Sequence, residues 1–233
     1  MIERRPFAKL GGANHGWLAT KHHFSFADYQ DPERMNWGRL RVWNDDEIAP
    51  DTGFPPHPHA DMEIITYVTE GAVTHQDSLG NKGRTEAGDV QVMSAGTGIR
   101  HSEYNREPQQ TTKLFQIWIL PTKRGAAPSW GTRPFPKGER SGRFVPLASG
   151  FEGDAEALPI RTDARVLGAT LHAGETVDYP LAPERHGYLV PVKGAVEVNG
   201  VRLEARDGAA IRDEAGLKVR ALDDAELVLV DAA

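Results

Sequence analysis

In 233 residues no stretch keeps a helical hydrophobic period for more than two turns. Short runs rich in β-branched and aromatic residues appear instead, such as Trp37–Trp43, Met62–Val68 and Leu114–Ile119, each closed off by Gly, Pro, Asn or Asp. They read as strands. Turn signals recur between them at Glu70-Gly71, Leu79-Gly80-Asn81, Ala87-Gly88-Asp89 and Gly96-Thr97-Gly98, the rhythm of antiparallel sandwiches and barrels. Strand-like runs resume at Val166–Leu171, Tyr188–Val192, Ala195–Val198, Val201–Ala205, Leu217–Ala221 and Leu227–Val230. The whole chain is therefore expected to be all-β.

From Pro121 to Gly142 the sequence is crowded with Pro and Gly and poor in aliphatic residues, which suits a connection between domains. The expected partition is an N-terminal barrel at 1–125, a linker at 126–142 and a C-terminal barrel at 143–233. The two halves share a faint pattern: Gly71-Ala72-Val73 is echoed by Gly194-Ala195-Val196, and Ala87-Gly88-Asp89-Val90 by Arg206-Asp207-Gly208-Ala209. An internal duplication would account for it.

Composition narrows the chemistry. With no cysteine, neither disulfides nor thiolate ligands are available, so a metal would sit among imidazoles, carboxylates and water. The net charge is −6 and no Lys/Arg cluster stands out, which argues against direct nucleic-acid binding. No apolar run approaches the ~20 residues of a membrane span. Basic residues near Met1 are not followed by the apolar core of a secretory signal, so the expected location is cytoplasmic.

His57-Pro58-His59 places two imidazoles two residues apart, and in a strand both fall on one face. Asp61 and Glu63 continue that parity. Some forty residues on, His101 and Glu103 repeat the two-residue spacing. If the two strands are neighbours, these groups converge inside a barrel, and parity alone leaves Glu63 and Glu103 as equal candidates for a carboxylate ligand. His75, His172 and His186 lack such company and read as surface or packing residues. His15, His22 and His23 lie in the N-terminal segment, where adjacent His22 and His23 cannot share a strand face.

The stretch G-F-P-P-H-P-H-A-D-M-E, followed by G-A-V and by A-G-D-V-Q-V-M-S-A-G-T-G-I-R-H-S-E, resembles the two cupin motifs as they occur in the pirin family. Asn14-His15-Gly16-Trp17, His23-Phe24-Ser25-Phe26 and Arg41-Val42-Trp43-Asn44-Asp45-Asp46 extend the resemblance to about Pro121. It implies a bicupin, two antiparallel jelly-roll barrels in tandem, with one divalent metal ion in the first held by His57, His59, His101 and Glu103. Fe(II) is the expected ion, with Cu, Mn, Ni, Co or Zn as alternatives. Glu63 would then orient a ligand. The second half has no His-x-His pair around Tyr179–Glu184, so that barrel is expected to lack metal and to serve as a lid or partner surface.

The resemblance also implies a quercetin 2,3-dioxygenase type of reaction, in which O₂ opens the central ring of a flavonol and carbon monoxide leaves. Glu103 would be the catalytic base for the flavonol 3-hydroxyl. Phe54, Met93, Phe115, Ile117 and Trp118 are candidate walls of a substrate cavity, whereas Arg100 reads as a surface residue. Two other expectations stand beside this one: a metal-containing regulator acting through a protein partner, and a cupin enzyme with a different substrate.

Overall fold

A computed structural model describes all 233 residues. Its strands in chain order are β1 (Ile2–Arg5), β2 (Gly11–Asn14), β3 (Leu18–His22), β4 (Leu40–Ile48), β5 (Gly53–His59), β6 (Glu63–Glu70), β7 (Ala72–Asp77), β8 (Lys82–Glu86), β9 (Val90–Ser94), β10 (Ile99–Tyr104), β11 (Thr112–Ile119) and β12 (Ser129–Arg133). There follow β13 (Val145–Ser149), β14 (Leu158–Pro159), β15 (Ala164–Leu171), β16 (Thr176–Tyr179), β17 (His186–Lys193), β18 (Val196–Val198), β19 (Val201–Leu203), β20 (Gly208–Ile211), β21 (Leu217–Ala221) and β22 (Ala225–Ala232). Three single-turn 3₁₀ helices complete the regular structure. No helix is long and apolar enough to cross a membrane.

These strands form four sheets. The first barrel pairs a seven-stranded sheet, ordered β12-β9-β6-β11-β4-β3-β2, with a four-stranded sheet, β5-β10-β7-β8. The second repeats the plan with β1-β20-β17-β22-β15-β13-β14 and β16-β21-β18-β19. The all-β bicupin expectation is thus met. The largest apolar cluster lies between the two seven-stranded sheets, where Trp43, Tyr67, Phe115 and Ile117 of one barrel meet Val166, Tyr188, Val228 and Val230 of the other. A strand buried on both faces carries apolar residues at most positions, which is how Ala225–Ala232 reads, while Glu63–Glu70 is buried from Glu63 to Val68 with polar Glu63 and Thr66 among its apolar residues.

Two segments correct the expected partition of 1–125, 126–142 and 143–233. β1 leaves the first barrel and pairs antiparallel with β20, Ile2 opposite Ile211 and Arg5 opposite Gly208. β12 lies inside the supposed linker yet extends the first barrel's sheet along β9, Trp130 opposite Met93. Both add to sheet edges whose unpaired backbone groups are satisfied by a further strand, and neither partner is near in sequence.

Candidate functional site

β5 carries Pro55, Pro56 and Pro58 and lies at the edge of its sheet, where a residue with no N–H to donate is tolerated. It pairs with β10, placing His57 directly opposite His101 and His59 opposite Ile99. The register then slips by one residue around the two prolines, so that Glu103 faces Phe54. The rings of His57, His59 and His101 come together with centroids 4.5, 4.8 and 5.0 Å apart. One nitrogen from each lies within 4.8 Å of the others.

The nitrogens present lone pairs. His57 Nδ1 donates to the Pro55 carbonyl at 2.8 Å; since a carbonyl only accepts, the proton is on Nδ1 and Nε2 is free. His101 Nε2 is buried with no hydrogen-bond partner, which is costly unless something else occupies it. Burial, with His57 and His75 nearby, pushes the His101 imidazole down to about 3. Burial and the rings of His101 and His57 push His59 down to about 4. Both are neutral at pH 7, the form that binds a metal ion. The residues present fit such an ion.

Glu103 is buried beside them, with a carboxylate oxygen within 4.8 Å of nitrogens from His75 and His101. Its Oε1 accepts from Gln91 Nε2 at 2.6 Å and Thr66 Oγ1 at 3.2 Å, and its Oε2 from Gln116 Nε2 at 2.7 Å. These donors belong to one register row across the large sheet: His22 opposite Asn44, Asn44 opposite Gln116, Gln116 opposite Thr66, Thr66 opposite Gln91 and Gln91 opposite Thr132. Sequence reasoning missed the row. Its signal was a lone polar residue inside each apolar run, I-T-Y, V-Q-V and F-Q-I.

Glu63 and Asp61 are not brought to the cluster. The chain turns at Asp61, whose φ is 46°, so the period of two stops at His59 and Glu63 begins a strand of the other sheet. Glu63 Oε2 accepts from Ser94 Oγ at 2.6 Å and from the Arg161 backbone at 3.1 Å, so it orients no histidine. Asp61 accepts from the Gly125 N–H.

The cluster opens on a cavity of about 700 Å³. Its walls include Trp17, Phe26, Tyr29, Phe54, Ile64 and Trp118, with His15, His22, Asn44, Asp46, Glu103 and Gln116 supplying polar groups. Of the five expected wall residues, Phe54 and Trp118 line it. Met93, Phe115 and Ile117 do not: on β11 the alternation sends Gln116 and Trp118 inward, leaving Phe115 and Ile117 in the core between barrels. Met93 packs with Ile64, Ala95 and Ile99. His22 faces the cavity, while His23 points the other way and bonds Tyr188 in the inter-barrel core. Burial raises the Asp46 carboxyl to about 7, with Asp45 and Glu103 adding to the effect and the Thr20 hydroxyl opposing it. His172 is exposed, His186 half-buried, and Arg100 is exposed with its guanidinium on the Pro56 carbonyl. His75 is fully buried against the cluster, its ring stacked on Trp130 of the supposed linker at 4.7 Å. No surface role is open to it.

Comparison with known proteins agrees with this architecture. Residues 3–119 match the Pirin family and residues 147–232 the quercetinase C-terminal cupin domain. The chain is 75% identical over 233 residues to a pirin-like protein of Caulobacter vibrioides, covering all of both chains. It is 44% identical over 231 residues to the quercetin 2,3-dioxygenase of Escherichia coli K12, covering 99% of this chain and 98% of the relative. The crystal structure of the bacterial pirin YhhW from Escherichia coli in complex with nickel(II) superposes with a TM-score of 0.94 at 43% identity, covering 100% of this chain and 99% of that one. With two cupin barrels, a histidine cluster in the first and these relatives along its full length, the chain belongs to the pirin family.

Proposed function

We propose that this protein is a metal-dependent dioxygenase of the quercetin 2,3-dioxygenase type, with His57, His59, His101 and Glu103 as ligands of one divalent ion. The observation that carries the reading is the meeting of three imidazoles, one with a buried partnerless nitrogen, on the wall of an aromatic-lined cavity. Imidazole and carboxylate donors suit Fe(II), the ion we favour, as well as Cu, Mn, Ni, Co and Zn. Bound there, the ion would supply Lewis acidity and open coordination positions.

The chain's own residues account for the remainder. Trp17, Phe26, Phe54 and Trp118 offer flat apolar surface that would orient a planar flavonol and keep water from it. Glu103, held at the cavity wall by Gln91, Thr66 and Gln116, would receive the proton of the 3-hydroxyl on its carboxylate. The other reactant is O₂ and the products are the ring-opened ester and carbon monoxide. The same reading sets the protein in the cytoplasm, acting on small molecules and not on nucleic acid.

The test is elemental analysis of purified and reconstituted protein, paired with an assay that follows flavonol absorbance and carbon monoxide as O₂ is admitted. The expected result is one metal per chain, with metal and turnover both lost in His59→Ala and turnover lost more than metal in Glu103→Gln. Reconstituted protein that holds no metal would refute the reading; a metal-replete protein that leaves flavonols intact would refute the substrate.

A further inference from the structure

We propose that His75 is a positioning residue that fixes which nitrogen of His101 carries the proton, and so aims the His101 Nε2 lone pair into the histidine cluster. The inference rests on the metal-centre reading above. His75 stands on β7 directly opposite Glu103, and Asp77 opposite His101, so both side chains point to the barrel interior. The His75 ring lies parallel to Trp130, 7° between planes. Gly83, opposite His75 on β8, makes room for that indole, because a Cβ there would come within 2.3 Å of it. The imidazole is thus clamped by packing before any polar contact is considered.

Its polar contacts then leave each proton one place. His75 Nε2 is 2.9 Å from Asp77 Oδ2, and His75 Nδ1 is 3.4 Å from His101 Nδ1. The Asp77 carboxylate also receives the Asn81 amide and the backbone N–H groups of Leu79 and Asn81, so it acts as acceptor only. The His75 proton is therefore on Nε2 and its Nδ1 bears a lone pair. Facing that lone pair, His101 Nδ1 is satisfied by carrying a proton and donating it. What remains is His101 Nε2 as an acceptor, and it is the nitrogen found buried without a partner. Asp77, His75 and His101 form a directional chain of the kind that orients ligand imidazoles.

Two measurements on the full chain test this. Nitrogen-15 NMR of histidine-labelled, metal-free protein reads tautomers directly: His101 is expected as the Nδ1–H form and His75 as the Nε2–H form. Ni(II) affinity by calorimetry should fall about 10–100-fold in His75→Phe, the range seen for lost outer partners of metal ligands. His75→Gln, whose carbonyl can accept from His101 while its amide spans toward Asp77, should recover most of that loss. An Nε2–H tautomer at His101 in the unsubstituted protein overturns the inference, as does wild-type Ni(II) affinity in a folded His75→Phe. Protein that binds no Ni(II) at all overturns the metal-centre reading, and the tautomer spectrum still decides on the chain of hydrogen bonds.

Discussion

Across the large sheet of the first barrel, one register row reads His22, Asn44, Gln116, Thr66, Gln91 and Thr132. Across the four inner strands of the corresponding sheet of the second barrel, β20, β17, β22 and β15, the row reads Ala209, Leu189, Leu229 and Leu167, all four almost inaccessible to solvent. The two barrels share a plan of strands and differ in what fills them. A buried leucine stabilises its barrel by ~1.5–3 kcal/mol. A buried amide or hydroxyl is tolerated only when paired, and its net contribution is ~1 kcal/mol. The first barrel therefore forgoes cohesion along the row that supports Glu103. Its sheet is backed by the apolar core shared with the second barrel, which supplies rigidity without chemistry.

A polar group moved into the second barrel tests how far the two interiors differ. Leu229→Asn puts an amide with no prepared partner into the apolar cluster and should cost ~3–5 kcal/mol in urea unfolding, combining lost packing with an unsatisfied polar group. A loss below ~1 kcal/mol would mean that the second interior tolerates polarity as the first does.

Asp46 sharpens the contrast through pH. Its carboxyl is raised from 3.8 to about 7 by burial, so between those values the unfolded chain gives up this proton while the folded one keeps it. The native state then binds more protons, and its stability falls as pH rises through that window, levelling off above about 7. Asp46→Asn keeps an acceptor for Thr20 and removes the titration. Its stability relative to the parent should therefore grow between pH 4 and 7, by up to ~4 kcal/mol, since each tenfold difference in proton affinity between the two states is worth ~1.4 kcal/mol. Parallel stability curves would show that Asp46 ionises as freely in the fold as outside it.

The smallest expected effect is that of Gln116→Leu, which makes the first row more like the second. It removes one donor from Glu103 Oε2 and should cost ~2 kcal/mol, because a buried carboxylate oxygen is left unpaired. A stabilised variant would show that the row is dispensable to the support of Glu103.

The meeting of His57, His59 and His101 was legible because a spacing of two fixes a strand face regardless of what surrounds it. The choice between Glu63 and Glu103 was not, since it turns on a left-handed residue at Asp61 that ends the alternation. Phe115 and Ile117 misled as cavity walls because β11 is buried on both sides, and apolar residues on such a strand do not reveal which side holds the cavity. His75 was set aside for want of a partner, although Asp77 stands two residues on with the same parity as the pair at 101 and 103. The linker was read from prolines and glycines, yet Trp130 within it completes the packing around His75. What stayed hidden was long-range pairing, which local sequence does not record.

The strand Ile2–Arg5 must find Gly208–Ile211. On a ribosome adding ~5–20 residues per second, about 10–40 s pass between the appearance of the two. Throughout that interval the strand has open hydrogen-bonding edges and could attach to a neighbouring sheet or a neighbouring chain. Three of its four residues, Glu3, Arg4 and Arg5, are charged, and charge is what discourages a strand from pairing in the wrong place. The segment is written to stay single until the last barrel arrives.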